Sequence, residues 1–238
     1  MSLDLFISDL HLDPERPDIT ARFRAFVEGE ARRAERLFIL GDLFESWVGD
    51  DEDSALAETV ATSLRALANA GTHCFFMIGN RDFLLGEAFC SRAGMQILTE
   101  PHQELIDGVD TVLLHGDALC TDDHSYQAFR RMVRDPEWQR TFLAKPIDER
   151  RRLARAARMQ SQRHTSAASE TIMDVNADAV RALFAHSHAR RIIHGHTHRP
   201  HYHAPGTAHE RIVLGDWYSQ GSALTITESE VKLSTPVE

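Results

Sequence analysis

Five short apolar runs in this sequence end in the same way, in a small residue beside a side chain able to bind a metal. Leu3–Ser8 runs into Asp9-Leu10-His11, and Arg36–Leu40 into Gly41-Asp42. Cys74–Ile78 runs into Gly79-Asn80, Thr111–Leu114 into His115-Gly116-Asp117, and Arg191–His194 into Gly195-His196-Thr197-His198. Short apolar runs closed by turn residues read as buried strands. Between the first three lie helical patterns. Asp18 to Arg33 carries Phe23, Phe26 and Val27 on one side, and Asp53–Ala70 spaces Leu56, Val60, Leu64 and Leu67 for a helix. Alternating strands and helices predict an α/β architecture, whose ligand groups sit at the carboxyl ends of the strands.

The 238 residues, 42% of them apolar, suffice for one domain over 1–238 with a substantial core. No run of about 18 uncharged apolar residues suggests a membrane span. The start, MSLDLFISDLHLD, meets acidic residues at once and reads as a first strand, so a cytoplasmic protein is expected. Cys74, Cys90 and Cys120 form no CxxC pair, which argues against a thiolate zinc site and for reduced, buried thiols.

The alternation breaks over 122–168, read as a helical insertion of two or three Arg-rich helices with Pro136 and Pro146 as natural starts or breaks. Residues 130–163 hold eleven basic and four acidic side chains, a net of +7 in a chain of net charge −10, which leaves −17 for the remainder. An anionic partner should meet this segment first. Its apolar residues Phe129, Met132, Val133, Trp138, Phe142, Leu143, Leu153 and Met159 alternate with arginines. Such helices can cover acyl chains or face anionic headgroups, or instead pack an apolar stripe on the core. The acidic body speaks against nucleic acid. Helical signal returns at Ile172–Ala185, and the tail from Tyr202 to Leu233 alternates as antiparallel strands do.

The strand ends collect Asp9, His11, Asp42, Asn80, His115, His196 and His198, a mixture of oxygen and nitrogen donors without thiolate. A lone Asp-x-His or Gly-Asp is an ordinary turn; the ordered set is the signal. Seven donors are too many for one ion with open positions and suit two divalent cations, which together can activate water against a phosphoryl centre.

The series DLHLD, GDLFE, GNRD, HGD and GHTHRP resembles the calcineurin-like metallophosphoesterases over nearly the whole chain. The resemblance implies a four-layer fold of two mixed sheets packed face to face with helices outside. It implies Asp9, His11, Asp42 and His198 on one metal, and Asp42 as bridge with Asn80, His115 and His196 on the other. Asn80, Arg81, His115 and His196 are implied as catalytic residues.

Where many members of that family carry His after the Asn of the third motif, this sequence has Arg81. A guanidinium does not donate its proton near neutrality but neutralises phosphate charge. That favours a phosphoanhydride, whose leaving phosphate needs no protonation; pairing of Arg81 with Asp82 or another carboxylate is the plainer reading. The longer strings GDLFESWVGDD, GNRDFLLG, HGDALCTDDHSYQAFR, IMDVN and IHGHTHRP resemble the branch of the family acting in lipid A biosynthesis. That implies hydrolysis of the pyrophosphate of UDP-2,3-diacylglucosamine by water attack on the α-phosphorus, with two Mn²⁺, by a monomer lying peripherally on the cytoplasmic face of the inner membrane. Implied substrate contacts are Asn80, Arg81, Asp123, Ser161, Thr165, Ala168 and His196, of which Thr165 and Ala168 depart from the residues common in that branch. Asp123 also suits a helix N-cap before Ser125–Arg134. Competing readings are a hydrolase of non-lipid nucleotides or phosphodiesters, and a non-catalytic scaffold, which would be expected to lack metal ligands.

Overall fold

The computed structural model describes residues 2–167 and 174–234, with side chains described up to Met159 and again from Asp174. Strands β1 (Leu3–Ile7), β2 (Arg36–Leu40), β3 (His73–Met77) and β4 (Met95–Leu98) pair in parallel in that order. Helices α1 (Pro17–Glu28), α2 (Ala55–Asn69) and α3 (Glu87–Ala93) connect them. Pro17 opens α1, where its missing N–H costs no hydrogen bond, and Ser54 caps α2 by accepting from the Ala57 N–H at 3.2 Å. The helix expected over Asp18 to Arg33 is broken at Gly29, and a 3₁₀ turn over Glu30–Arg33 completes the span.

Strand alternation divides the apolar residues between two faces. Leu5, Ile7, Leu37, Ile39, Cys74 and Phe76 join the core beneath α1, α2 and α3. Phe6 and Phe38 point the other way, into a core shared with a second sheet, where Phe75 packs against them. Their rings stack across the strands, Phe6 on Phe38 at 4.8 Å and Phe38 on Phe75 at 4.9 Å.

The second sheet uses β5 (His102–Ile106), β6 (Val109–Leu113), β7 (Arg191–His194), β8 (His201–His203) and β9 (Glu210–Val213) in the order β5-β6-β7-β9-β8. Strands β6, β7 and β9 are parallel, while β5 and β8 run antiparallel at the edges. Strands β10 (Ala223–Thr227) and β11 (Glu230–Ser234) return to the first sheet, β10 pairing antiparallel with β1.

Helices α4 (His124–Val133), α5 (Pro136–Leu143) and α6 (Ile147–Ala167) fill the expected insertion, and α7 (Ala177–Ser187) sends Phe184 into the core of the second sheet. This is the α/β architecture of two mixed sheets with flanking helices. α3, β4 and β5 are elements the sequence reading did not identify, and the helix expected from Ile172 is described from Ala177 to Ser187. No described helix is long and apolar enough to cross a membrane.

Candidate metal centre

All seven expected donors meet where β1, β2, β3, β6 and β7 end. Main-chain bonds bring the loops together: the Asp9 N–H donates to Gly41 O at 3.1 Å, His11 N–H to Asp42 O at 2.9 Å, and Gly195 N–H to His115 O at 2.8 Å. Five of the seven (Asp9, His11, Asp42, His196 and His198) have positive φ, between 49° and 68°. Each such non-glycine residue costs of order 1 kcal/mol and persists where its surroundings over-determine it. Here that conformation turns side chains sharply off the strand ends and into a common space.

The glycines of the motifs clear that space. A Cβ on Gly195 would collide with Asp9 Oδ2 and Ser8 Oγ, one on Gly79 with the Asp42 carboxylate, and one on Gly41 would lie 2.5 Å from His115 Nδ1.

Two groups of donor atoms result. Asp9, His11 and His198 form one, with His198 Nε2 3.2 Å from Asp9 Oδ1. Asp9, Asp42 and His115 form another, joined by Asn80 and His196: Asn80 Oδ1 lies 2.8 Å from His115 Nε2 and 2.9 Å from His196 Nδ1. Asp42 spans both, with Oδ2 3.6 Å from His11 Nε2 and Oδ1 3.8 Å from His115 Nε2. The arrangement fits a pair of divalent cations on a direct structural ground. His11 Nε2 is buried without a hydrogen-bond partner, yet faces Asp9 and Asp42. A buried polar atom is rarely left alone, and a cation among these oxygen and nitrogen donors would satisfy it.

Burial alone would raise Asp9, but the charge and hydrogen bond of His198, with His115 and His11, hold it well below the usual carboxylate range. Burial would lower His115; Asp42, Asp9 and Asp117 outweigh it and lift the imidazole to about 9. His196 goes the opposite way, pushed to about 4 by burial and by neighbouring His115.

Sequence reasoning missed the groups that hold the ligands. Glu45, the last residue of GDLFE, places its carboxylate 2.6 Å from His11 Nδ1. Asp82 is fully buried, accepts the N–H groups of Gly79 at 2.8 Å and Leu43 at 2.7 Å, and so ties two ligand loops together. Burial and the charge of Asp42 push it up to about 7. Asp82 is therefore not the partner of Arg81, whose Nη1 lies instead 3.9 Å from Glu45. Glu100 accepts from the His115 N–H at 2.8 Å and from Arg130 of α4 at 2.9 Å. The signal for Glu45 and Asp82 was present in their motifs, but nothing in the pattern distinguishes a loop-stitching carboxylate from a solvated one.

Asp123 caps α4, accepting the Tyr126 N–H at 2.9 Å. The side chains of Ser161 and Thr165, and the whole of Ala168, lie outside the described residues. His194 is buried, with Nδ1 2.9 Å from Gly195 O, beside the ligand loop.

The cationic insertion meets the acidic body directly. Arg158 Nε is 2.9 Å from Glu45, Arg150 pairs with Asp51, and Arg151 lies 2.6 Å from Glu52. Arg131, Arg140, Arg152 and Arg155 are exposed. Five of the six exposed large hydrophobic side chains among the described residues, namely Phe129, Met132, Leu143, Leu153 and Met159, lie on these three helices.

Residues 5–200 match the family model of the calcineurin-like phosphoesterases. The chain is similar to a UDP-2,3-diacylglucosamine hydrolase of Xanthomonas oryzae pv. oryzae, 50% identical over 239 residues that cover 96% of this chain and 97% of that protein. It is 47% identical over 232 residues to the protein of that name from Klebsiella pneumoniae, with 96% and 97% covered. The corresponding Stenotrophomonas maltophilia protein is 48% identical over 241 residues, with 97% of each chain covered.

Proposed function

We propose that this chain, which belongs to the calcineurin-like phosphoesterase family, hydrolyses the pyrophosphate of UDP-2,3-diacylglucosamine in lipid A biosynthesis. Water attacks the α-phosphorus, and the products are UMP and 2,3-diacylglucosamine 1-phosphate. The observation that carries this reading is a two-lobed donor cluster beside a helical segment that exposes apolar side chains.

Asp9, His11, Asp42 and His198 would hold one divalent cation, and Asp42, Asn80, His115 and His196 the other. Mn²⁺ is the proposed metal, a choice this donor set accommodates. When bound, the pair supplies Lewis-acid activation of water and of the phosphoryl group. The chain's own groups do the rest. The Asp42 carboxylate is held in place by accepting the Arg81 N–H at 2.8 Å, and its backbone carbonyl by accepting the His11 N–H at 2.9 Å. Asn80 and His196 lie where a phosphoryl oxygen is held and oriented. The Arg81 guanidinium, about a quarter exposed, stands at the rim to neutralise the phosphate charge. Because Arg81 is no proton donor, a phosphate leaving group suits this site better than an alkoxide. Asp123, Ser161, Thr165 and Ala168 are proposed as contacts to the sugar lipid.

Helices α4, α5 and α6 serve as a lid for the acyl chains, their exposed Phe129, Met132, Leu143, Leu153 and Met159 forming the apolar lining or membrane face. Arg131, Arg140, Arg152 and Arg155 supply peripheral, salt-sensitive contact with an anionic membrane surface, and the working form is a monomer. The decisive assay follows UMP release from the acylated substrate and from UDP-N-acetylglucosamine, with EDTA-stripped and Mn²⁺-restored protein. Mn²⁺-dependent release that requires the acyl chains supports the reading. Equal turnover of both would replace it with a non-lipid nucleotide hydrolase.

A further inference from the structure

Behind the loop that carries His196 and His198 lies a cavity of about 370 Å³, lined by residues that have no part in the roles assigned above. Its floor is the β8–β9 hairpin. Cross-strand pairing sets His201 opposite Val213 and His203 opposite Arg211, and all four line one face. Its rim is Thr197, which sits between two of the expected ligands, with Arg199, Pro200 and Asp174.

The charge arrangement is unusual. Arg211 donates to His203 Nε2 at 2.8 Å and to His194 Nε2 at 3.1 Å, and among the described residues no carboxylate is in ion-pair contact with it. Both rings must therefore offer a lone pair, and burial with the neighbouring guanidinium pushes His203 down to about 4. A half-buried guanidinium held by two neutral rings keeps its charge for something in the cavity. The carboxylate present, Asp174, is bonded to Arg199 at 2.7 Å and to the Val175 N–H at 2.7 Å. A further metal site is not indicated: the donor groups found among the described residues both lie at the centre, and Arg211 already occupies His203 Nε2.

The cavity thus offers cationic donors, one carboxylate acceptor, and apolar or ring surface from Pro200, Val213, His201 and His203. Uracil presents the complement, two carbonyl acceptors flanking one imide N–H, on a flat face that packs against apolar and aromatic groups. Position agrees with chemistry. Helices α4 and α6 are anchored on Asp13, Glu45, Asp51 and Asp117, none of which lines the cavity. A substrate whose lipid half lies under those helices must send its other half elsewhere, and this cavity adjoins the ligand loop.

We propose that the cavity between the β8–β9 hairpin and the 197–200 loop is the nucleoside subsite, with Asp174 accepting the uracil imide N–H and Arg199 and Arg211 donating to its carbonyls. The proposal rests on the function read above, yet its test needs no lipid turnover. Calorimetric titration of the Mn²⁺-loaded protein compares UMP, N3-methyl-UMP and inorganic phosphate. The wild-type chain should bind UMP about tenfold more tightly than N3-methyl-UMP, the scale of one hydrogen bond to a charged group, here the part-exposed Asp174 carboxylate. Asp174→Ala should erase that difference while leaving inorganic phosphate affinity unchanged. Arg199→Ala, at a position whose side chain is 45% exposed, should weaken UMP relative to phosphate. Equal affinity of wild-type protein for the two nucleotides, or a difference that survives Asp174→Ala, overturns the proposal. Failure of the catalytic reading would show separately, as absence of UMP release with nucleotide binding intact.

Discussion

The Glu45 carboxylate stands 2.6 Å from Nδ1 of His11, and Arg158 of α6 reaches the same carboxylate from the other side at 2.9 Å. A carboxylate this close to Nδ1 favours the imidazole proton on that nitrogen, which would leave Nε2 to a cation among Asp9 and Asp42. Carboxylates behind a metal-binding histidine raise its basicity and fix its ring. Glu45→Ala should weaken metal affinity by about 10–100-fold. Glu45→Gln, which still accepts from Nδ1, should lose much less. Metal titration of the two variants checks this, and equal losses would leave Glu45 with only a packing role.

Asp42 sends one oxygen toward each half of the donor cluster, and His115 is buried against it. Asp42→Ala and His115→Ala should each lower turnover by at least about 10²–10³-fold, the scale on which removal of one preorganised electrostatic group is felt. Arg81→Ala should also impair turnover but keep its metal content, because the Arg81 side chain touches Glu45 at the rim and not the donor atoms. Metal analysis beside activity separates the cases.

The motif glycines carry a prediction of their own. An added methyl at Gly195 meets Asp9 and Ser8, and at Gly79 it meets Asp42. None of these neighbours is the free end of a flexible chain, since Asp9 also accepts the His196 N–H at 2.9 Å and Asp42 the Arg81 N–H. Gly195→Ala and Gly79→Ala should each cost about 1–3 kcal/mol of stability by overpacking. Both should also lower bound metal, whereas Gly108→Ala, with nothing within 4 Å, should leave metal content unchanged. Denaturant unfolding with metal analysis tests the set.

Much of this centre was legible because strand and ligand signals coincide. The buried strands β1, β2 and β3 are mostly apolar, so polar side chains gathered beside a small residue at a strand end stand out, and the seven expected donors were read from those strand ends and the turns that follow them. The left-handed backbone at Asp9, His11, Asp42, His196 and His198 was not legible, since tertiary contacts impose it against local preference. Helix α3 has only seven residues, and β5, with sequence HQELI, is a half-exposed edge strand; both lie below the length or contrast at which periodicity speaks. Glu45 and Asp82 look like surface acids in the sequence, and only the folded loops show what they hold.

The cysteines offer a check on the core. Burial pushes the thiols of Cys74 and Cys120 up to about 12, and burial with nearby Asp50 raises Cys90 further. Iodoacetamide at pH 8 should leave the native chain unlabelled and modify all three thiols in urea. The folded state keeps the protons that the unfolded chain begins to lose near pH 9. These groups therefore withdraw stability as pH rises from 9 towards 12. Comparing unfolding midpoints of wild-type protein and Cys74→Ala across pH 8–10 isolates that contribution.

The +7 segment does not face solvent as a single cationic surface. Arg150 is 3% exposed, pairs with Asp51 and donates to Val48 O at 2.6 Å, so it anchors α6 and is not available to a membrane. Arg131, Arg140, Arg152 and Arg155 are exposed beside Met132, Leu143 and Leu153. Each exposed arginine near an anionic bilayer contributes about 1 kcal/mol. Replacing these four by Gln should abolish flotation with phosphatidylglycerol-containing vesicles, and salt should weaken flotation of the wild-type chain. Arg150→Gln should keep flotation and instead raise hydrogen exchange over 147–159. Flotation lost with Arg150→Gln but retained without the four exposed arginines would reverse the assignment and place the membrane contact elsewhere.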